Sequence, residues 1–371
     1  MQPSLEDRIA RVTEVAAASA AEVDRDGTFP QASVDALAGA GLLGITLSAE
    51  VGGLGLGPRE FLQALRGVAG ACASTAMVYL MHVCATKVAQ EGGASDAVLG
   101  GMATDRLSTL AFSEKGSRSH FWSPVSEIQG SNGDGRLSAQ KSFVTSAGHA
   151  ATYIVSTRPA GADALASTLY VVDAGAEGVE TSGPWVGLGL RGNASAPMTF
   201  TTPVGKLELL GEAGKGLDLM LGVVLPWFQL GQGAVSLGIS EGALRVAVGH
   251  VTTATLEHLG QTLADLPTVR ARLGRAQTEV DALAGFLADL AGRMADGDAT
   301  APILSAKAFA NETAIRVTSE AMQACGGAAM SPALGLERSF RDARAGSVMA
   351  PTTDVLYELT GRAMAGMPLL G

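Results

Sequence analysis

Near its end the chain reads Gln323-Ala-Cys-Gly326-Gly327, then Leu336-Glu-Arg-Ser-Phe-Arg341-Asp342-Ala-Arg344, then Met349-Ala350-Pro351-Thr352-Thr353-Asp354. Paired glycines let a backbone come close to a ligand, because no Cβ stands in the way. The Arg-Asp-Ala-Arg run beside them can set ion pairs. Upstream of this stretch the text is helical: 301–325 and 263–297 carry amphipathic periodicity, and an apolar run begins at Gly216. Further back, short β-branched or alternating runs at 108–112, 124–128, 136–145, 151–157, 167–172 and 199–202 read as strands, separated by turn clusters such as Gly130-Ser-Asn-Gly-Asp-Gly135. Helices precede them. Ser4-Leu-Glu-Asp7 is a capping-box start for a helix reaching about Arg25, and 33–40, 58–90 and 95–102 follow. The predicted class is mainly α with a small β domain: an N-terminal helical domain (1–106), a central β domain (107–206) and a C-terminal helical bundle (207–371).

A chain of 371 residues, 47% of them hydrophobic, can bury a large core. Its net charge of -10, with no long basic run, argues against a nucleic-acid partner. Cys72, Cys84 and Cys325 are odd in number and lack metal-like spacing, which fits a reducing, cytoplasmic setting. Met1-Gln-Pro-Ser-Leu-Glu-Asp-Arg8 lacks the basic-then-apolar layout of a signal peptide. The apolar run 217–240 is interrupted by Pro226, Gln229, Gln232 and several glycines, so it reads as a core helix and not as a membrane span. Gly52-Gly-Leu-Gly-Leu-Gly57 has helical flanks, whereas a dinucleotide loop needs a strand before it. It reads as a turn into the helix at Pro58.

The order and spacing of the C-terminal stretch resemble the signature of the acyl-CoA dehydrogenase family, Gln-x-x-Gly-Gly followed by Arg-Asp-Ala and Glu-Gly-Thr. Leu110-Ala-Phe112-Ser113-Glu114-Lys-Gly116-Ser-Arg118-Ser119 resembles the family's Thr-Glu-Pro-Gly-x-Gly-Ser segment, with Lys115, Arg118 and His120 as departures. Gln140-Lys-Ser-Phe143-Val-Thr145-Ser146 resembles the strand whose aromatic residue covers a flavin. Leu188-Gly-Leu-Arg191-Gly192 looks like its Gly-x-Arg-Gly element, and the likeness covers almost the whole chain. It implies a helical domain, a β-barrel-like domain and a four-helix bundle, with non-covalent FAD between the last two. It implies a CoA-thioester substrate, an electron-transfer flavoprotein or O2 as acceptor, and a homodimer or homotetramer without membrane or nucleic-acid partners. By the same resemblance Phe112, Ser113, Phe143, Thr145 and Thr352 lie beside the flavin, and Gln323, Gly326 and Gly327 touch the cofactor of a neighbouring subunit. Arg118, Ser119, Tyr79 and Ala350 fall to the substrate.

The departures bear on chemistry. Counted without a gap from the double glycine, Ala350 stands where the family carries its catalytic glutamate. Leu225-Pro-Trp-Phe228-Gln229-Leu230, where a minority of the family carries its base, has no carboxylate. The family's Arg-x-x-Phe-Gly element, whose arginine meets a pyrophosphate, is replaced by Thr252-Thr-Ala-Thr-Leu-Glu-His258-Leu-Gly260. Removing a weakly acidic α-proton needs a positioned base, worth about 10²–10⁴-fold. Three expectations follow from that gap: a substitute base, with His82, His120 and Asp354 as candidates; a conjugated or ring-derived thioester with a more acidic proton; or oxidase or monooxygenase chemistry with oxygen. Of these His82 is also readable as a plain core histidine. The alternative outside catalysis is a silent flavin- or acyl-CoA-binding partner subunit.

Overall fold

Ser4 Oγ accepts from the Asp7 N–H and the Asp7 carboxylate accepts from the Ser4 N–H, so the predicted capping box starts α1 (Leu5–Asp26). Ile9, Val12, Ala16, Ala20 and Val23 recur at steps of three and four and are the residues this helix buries. The structure, a computed structural model, describes residues 3–117, 120–130, 135–163, 165–298 and 302–370. After α2 (Gln31–Gly39) the glycine-rich segment is a turn between helices, as expected. Pro58 opens α3 (Pro58–Ala69), whose Glu60 carboxylate accepts from the Gly57 N–H. The helix expected over 58–90 is in fact two, because Gly70-Ala71-Cys72 separates α3 from α4 (Ala73–Glu91); α5 (Asp96–Thr104) follows.

β1 (Ser108–Ala111), β2 (Arg136–Val144), β3 (Thr152–Thr157), β4 (Thr168–Asp173), β5 (Val179–Thr181), β6 (Ala196–Pro203) and β7 (Glu208–Leu210) form two sheets, ordered β1-β3-β4-β7 and β2-β6-β5. β1 runs parallel to β3 and the other pairs are antiparallel. Leu137, Ala139, Tyr153, Val155, Val172, Met198 and Phe200 fill the space between the sheets. The strand predicted at 124–128 makes only the isolated bridge Glu127↔Arg158. The Val125 and Ser126 N–H groups donate to the Glu114 carboxylate, leaving no ladder to build.

α6 (Gly216–Leu219), a π-helical turn (Met220–Val224) and α7 (Leu225–Thr253) make one continuous apolar rod. Pro226, expected to interrupt it, does so only locally. Proline has no N–H to return to the preceding turn, and the backbone widens into the π turn just before it. The rod is long and apolar enough to cross a membrane, yet 67% of its most apolar window is buried within the protein. It packs along α9 (Ile303–Cys325), with α8 (Pro267–Ala295), α10 (Leu336–Val348) and α11 (Thr353–Met364) completing the bundle. Gly238 permits the contact of α7 with α3, since a Cβ there would stand 2.4 Å from the Arg66 carbonyl oxygen. A small hairpin, β8 (Thr255–Leu256) with β9 (Gln261–Thr262), joins α7 to α8.

Candidate active site

A cavity of about 1030 Å³ opens between β1, β2 and the 185–197 segment on one side and α4, the π turn, α7 and α10 on the other. Its inner end is apolar and buried, walled by Met77, Leu110, Phe112, Phe121, Val224 and Phe228. At the mouth, Phe143 is 69% exposed and Leu188 68% exposed. The Phe143 ring stands edge-on to Trp185, centroids 6.4 Å apart. Among the described residues the non-glycine positions with positive φ are Phe143 (56°), Ser146 (62°), Leu190 (50°) and Ala194 (48°). All belong to the two segments that frame this mouth. The segments are tied to each other: the Ser146 N–H donates to Asn193 O (2.9 Å), the Ala147 N–H to Ala194 O (3.1 Å), and the Thr145 and Ser195 hydroxyls meet at 2.9 Å. Backbone held in such sparsely populated conformations by its surroundings clusters at functional sites.

Beneath the cavity lies a buried ion pair that sequence reading passed over. Lys141 Nζ stands 2.5 Å from Glu114 Oε1 and also donates to Phe112 O (3.2 Å), Ser156 O (2.6 Å) and Ser156 Oγ (3.1 Å). Glu114 Oε1 also accepts from Ser126 Oγ (2.6 Å), and Oε2 from the Val125 and Ser126 N–H groups (2.9 and 2.7 Å). Burial works to raise the Glu114 carboxyl, but the Lys141 charge and these hydrogen bonds outweigh it and hold the group below its ordinary range. The pair thus knots β1, β2, β3 and the 124–128 segment together, and it fixes the backbone of Ser113, whose carbonyl accepts from the Ser142 N–H.

A second buried lysine shapes the opposite wall. Lys307 Nζ donates to the carbonyls of Gly346 (2.8 Å), Met349 (3.0 Å) and Pro351 (2.7 Å), which pins the segment carrying Ala350 at the end of α10. Burial brings this ammonium down to about 7. Facing the mouth, Arg341 forms a bidentate pair with Asp24 and donates to Leu188 O, and Asp342 Oδ1 accepts from the Leu190 N–H at 2.6 Å.

Burial pushes the Asp342 carboxyl up to about 6, against the pull of the Leu190 N–H and of Arg338 and Arg341, with Asp24 adding to the rise. A raised acid holds its proton more tightly folded than unfolded, so it costs nothing below about pH 4 and destabilises as pH climbs through about 6. Asp342→Asn, which keeps an acceptor for Leu190, is therefore expected to melt higher than the parent at about pH 8, by up to roughly 3 kcal/mol, and to match it near about pH 4. Thermal unfolding across that range checks the sign.

The cavity brings together Phe112, Ser113, Phe143, Thr145, Ala350 and Thr352. Gln323, Gly326 and Gly327 lie elsewhere, exposed where α9 ends. Arg118 and Ser119 fall outside the described residues. Three candidates are corrected. His82 is fully buried and absent from the cavity wall: its Nε2 donates to Leu43 O (3.0 Å) and its Nδ1 accepts from the Ser108 N–H (2.9 Å). Burial lowers it to about 4 in spite of these bonds, and with both nitrogens engaged it is a neutral structural clamp, not a base. Tyr79, placed at the substrate by the resemblance, is buried one turn earlier and donates to Leu42 O at 2.9 Å, so the two side chains hold the 42–43 backbone. His120 is exposed, edge-on to Trp122, and not among the residues lining the cavity. His82→Gln is expected to lose about 1–3 kcal/mol of stability with no change in the pH dependence of turnover, read by denaturation and by a pH–rate profile.

The strained, aromatic-mouthed cavity thus lies between the small β domain and the helical bundle. Sequence profiles match along the chain: the acyl-CoA dehydrogenase N-terminal domain over residues 2–97, the middle domain over 109–202 and the C-terminal domain over 214–365. The chain belongs to the acyl-CoA dehydrogenase family, a family of flavin-dependent oxidoreductases. It is 27% identical to a cyclohex-1-ene-1-carbonyl-CoA dehydrogenase of Syntrophus aciditrophicus, over 93% of this chain and 85% of that one. It is 31% identical to the L-evernosamine nitrososynthase of a Micromonospora species, over 96% and 89%. The dibenzothiophene monooxygenase TdsC of Paenibacillus sp. A11-2, solved with FMN and indole, superposes with a TM-score of 0.88 at 22% identity, covering 99% of this chain and 98% of that one.

Proposed function

We propose that the chain is a flavin-dependent monooxygenase acting on an acyl thioester or a ring-conjugated relative of one, its flavin reduced by a separate electron donor and not by the thioester, and then reacting with dioxygen. One observation carries this reading. Among the described residues lining the cavity the only carboxylate is Glu114, which is locked to Lys141, and the family's base position holds Ala350. The relative named a nitrososynthase supports it, since forming a nitroso group adds oxygen to nitrogen.

The residues present fit an FAD or FMN ring. The cavity is at the large end of ligand pockets, with room for a cofactor and a substrate. Phe143 and Trp185 offer aromatic surfaces at its mouth. The Thr145–Ser195 pair carries two O–H donors and uses one on the other, leaving one for a ring acceptor, while Ser146 Oγ is buried without a partner. A bound flavin supplies two-electron transfer and, once reduced, reaction with oxygen. This chain's own part is to place it: the Lys141 knot fixes Ser113, the Thr145–Ser195 pair sets the ring edge, and the apolar inner end excludes water. Gln323, Gly326 and Gly327 serve the cofactor of a neighbouring copy in a homodimer or homotetramer.

Mixed anaerobically with straight-chain acyl-CoAs, the purified protein is expected to keep its oxidised flavin spectrum. Reduced chemically and exposed to air, it is expected to consume oxygen with a ring-bearing substrate. Rapid anaerobic bleaching by straight-chain acyl-CoAs would refute the reading.

A further inference from the structure

We infer that Arg344 is the anion receptor of the cavity, built to take a phosphate group of the bound cofactor or of a CoA-type substrate; the inference rests on the flavin-cavity reading above. Four cationic residues line the cavity: Lys115, Lys141, Arg341 and Arg344. Two are already neutralised, Lys141 by Glu114 at 2.5 Å, and Arg341 by Asp24 at 2.5 Å and Glu337 at 3.2 Å. Lys115 and Arg344 have no carboxylate partner among the described residues. Lys115 is exposed on a turn, whereas Arg344 is half-buried and held in place.

The hold is specific. Arg344 Nη1 donates to Phe340 O and to Thr318 Oγ1 (3.3 Å), Nη2 donates to Ser319 Oγ (3.2 Å), and the guanidinium stacks on the Phe340 ring at 3.2 Å. Every one of these partners is neutral. They fix the plane of the guanidinium while leaving the Nε–H and one Nη2–H without a partner among the described residues. A guanidinium presents five N–H donors in a rigid fork that matches a phosphate. In a chain with net charge -10, a half-buried cation left without counter-charge in the wall of this cavity draws that charge from a ligand. The chain lacks the arginine that the family sets on a pyrophosphate in the segment replaced by 252–260, so a cation is wanted somewhere.

The test uses the full chain, freed of flavin by dialysis, titrated with riboflavin, FMN, FAD and CoA. Arg344→Met is expected to weaken FMN or FAD binding by about ten- to a hundredfold with riboflavin unchanged if the cofactor is the source of the phosphate. If the substrate is the source, it weakens CoA binding by that factor and leaves all three flavins alone. Arg344→Lys, which keeps the charge, recovers part of either loss and guards against simple misfolding. Unchanged binding of every phosphate ligand, or an equal loss for riboflavin, overturns the inference. If the parent chain binds no flavin at all, the flavin reading fails instead, and the CoA arm alone decides the role of Arg344.

Discussion

Lys141→Met is expected to cost about 3–5 kcal/mol of stability, a large share of what a folded domain has in hand. The change does not merely remove an attraction. It leaves the Glu114 carboxylate in the interior with its cationic partner gone, and it strips hydrogen bonds from Phe112 O, Ser156 O and Ser156 Oγ. Surface pairs such as Lys215–Glu212, where both side chains are well exposed, carry no comparable penalty. Because Ser113 and Ser142 are positioned by this knot, flavin binding should fail together with stability. The double variant Lys141→Met/Glu114→Met removes both charges and is expected to regain much of the loss, since a buried pair exchanged for apolar groups of similar volume is often neutral. Chemical denaturation of the two variants gives the comparison, and equal losses would show that geometry, not the orphaned charge, sets the cost.

The second large effect is a gain. Ala350→Glu is expected to raise the rate at which straight-chain acyl-CoAs bleach the flavin by about 10²–10⁴-fold, the usual worth of a positioned general base. Ala350 already lines the cavity, and the carbonyls flanking it are pinned by Lys307. A carboxylate placed there projects from a fixed segment into the cavity. Anaerobic stopped-flow absorbance measures the effect. A folded, flavin-loaded Ala350→Glu protein that bleaches no faster than the parent would mean that the missing base is not the limit.

Sequence reading reached the fold because its long elements have strong local signals. The Ser4–Asp7 capping box, the stepped apolar face of α1 and the alternation of β2 are written in adjacent residues. β5 and β7 are three residues each, too short for alternation to show, and Pro226 is accommodated by a π turn that only the packed rod reveals. Phe143, Thr145 and Ala350, singled out in the sequence by their motifs, line the cavity. At Tyr79 the resemblance pointed to the substrate, and at His82 the core and the catalytic readings both stood open, because their partners are backbone groups of residues 42, 43 and 108, far away in sequence. A signal for the buried lysines was present. Lys141 shares the inward parity of Leu137 and Ala139 on β2, and Lys307 lies four residues before the buried Asn311 on α9. A lysine on an inward face must find compensation, so each marks a polar knot even before its partners are known.

The measurement that bears most directly on the absent base is hydrogen exchange at the α-carbon of a straight-chain acyl-CoA, incubated anaerobically with the flavin-loaded protein in deuterated water. Exchange needs a group that takes the α-proton and nothing further from the reaction. No deuterium incorporation above the rate without protein is expected for the parent chain, with incorporation appearing in Ala350→Glu. Rapid incorporation by the parent would contradict the account and show that the cavity holds a working base.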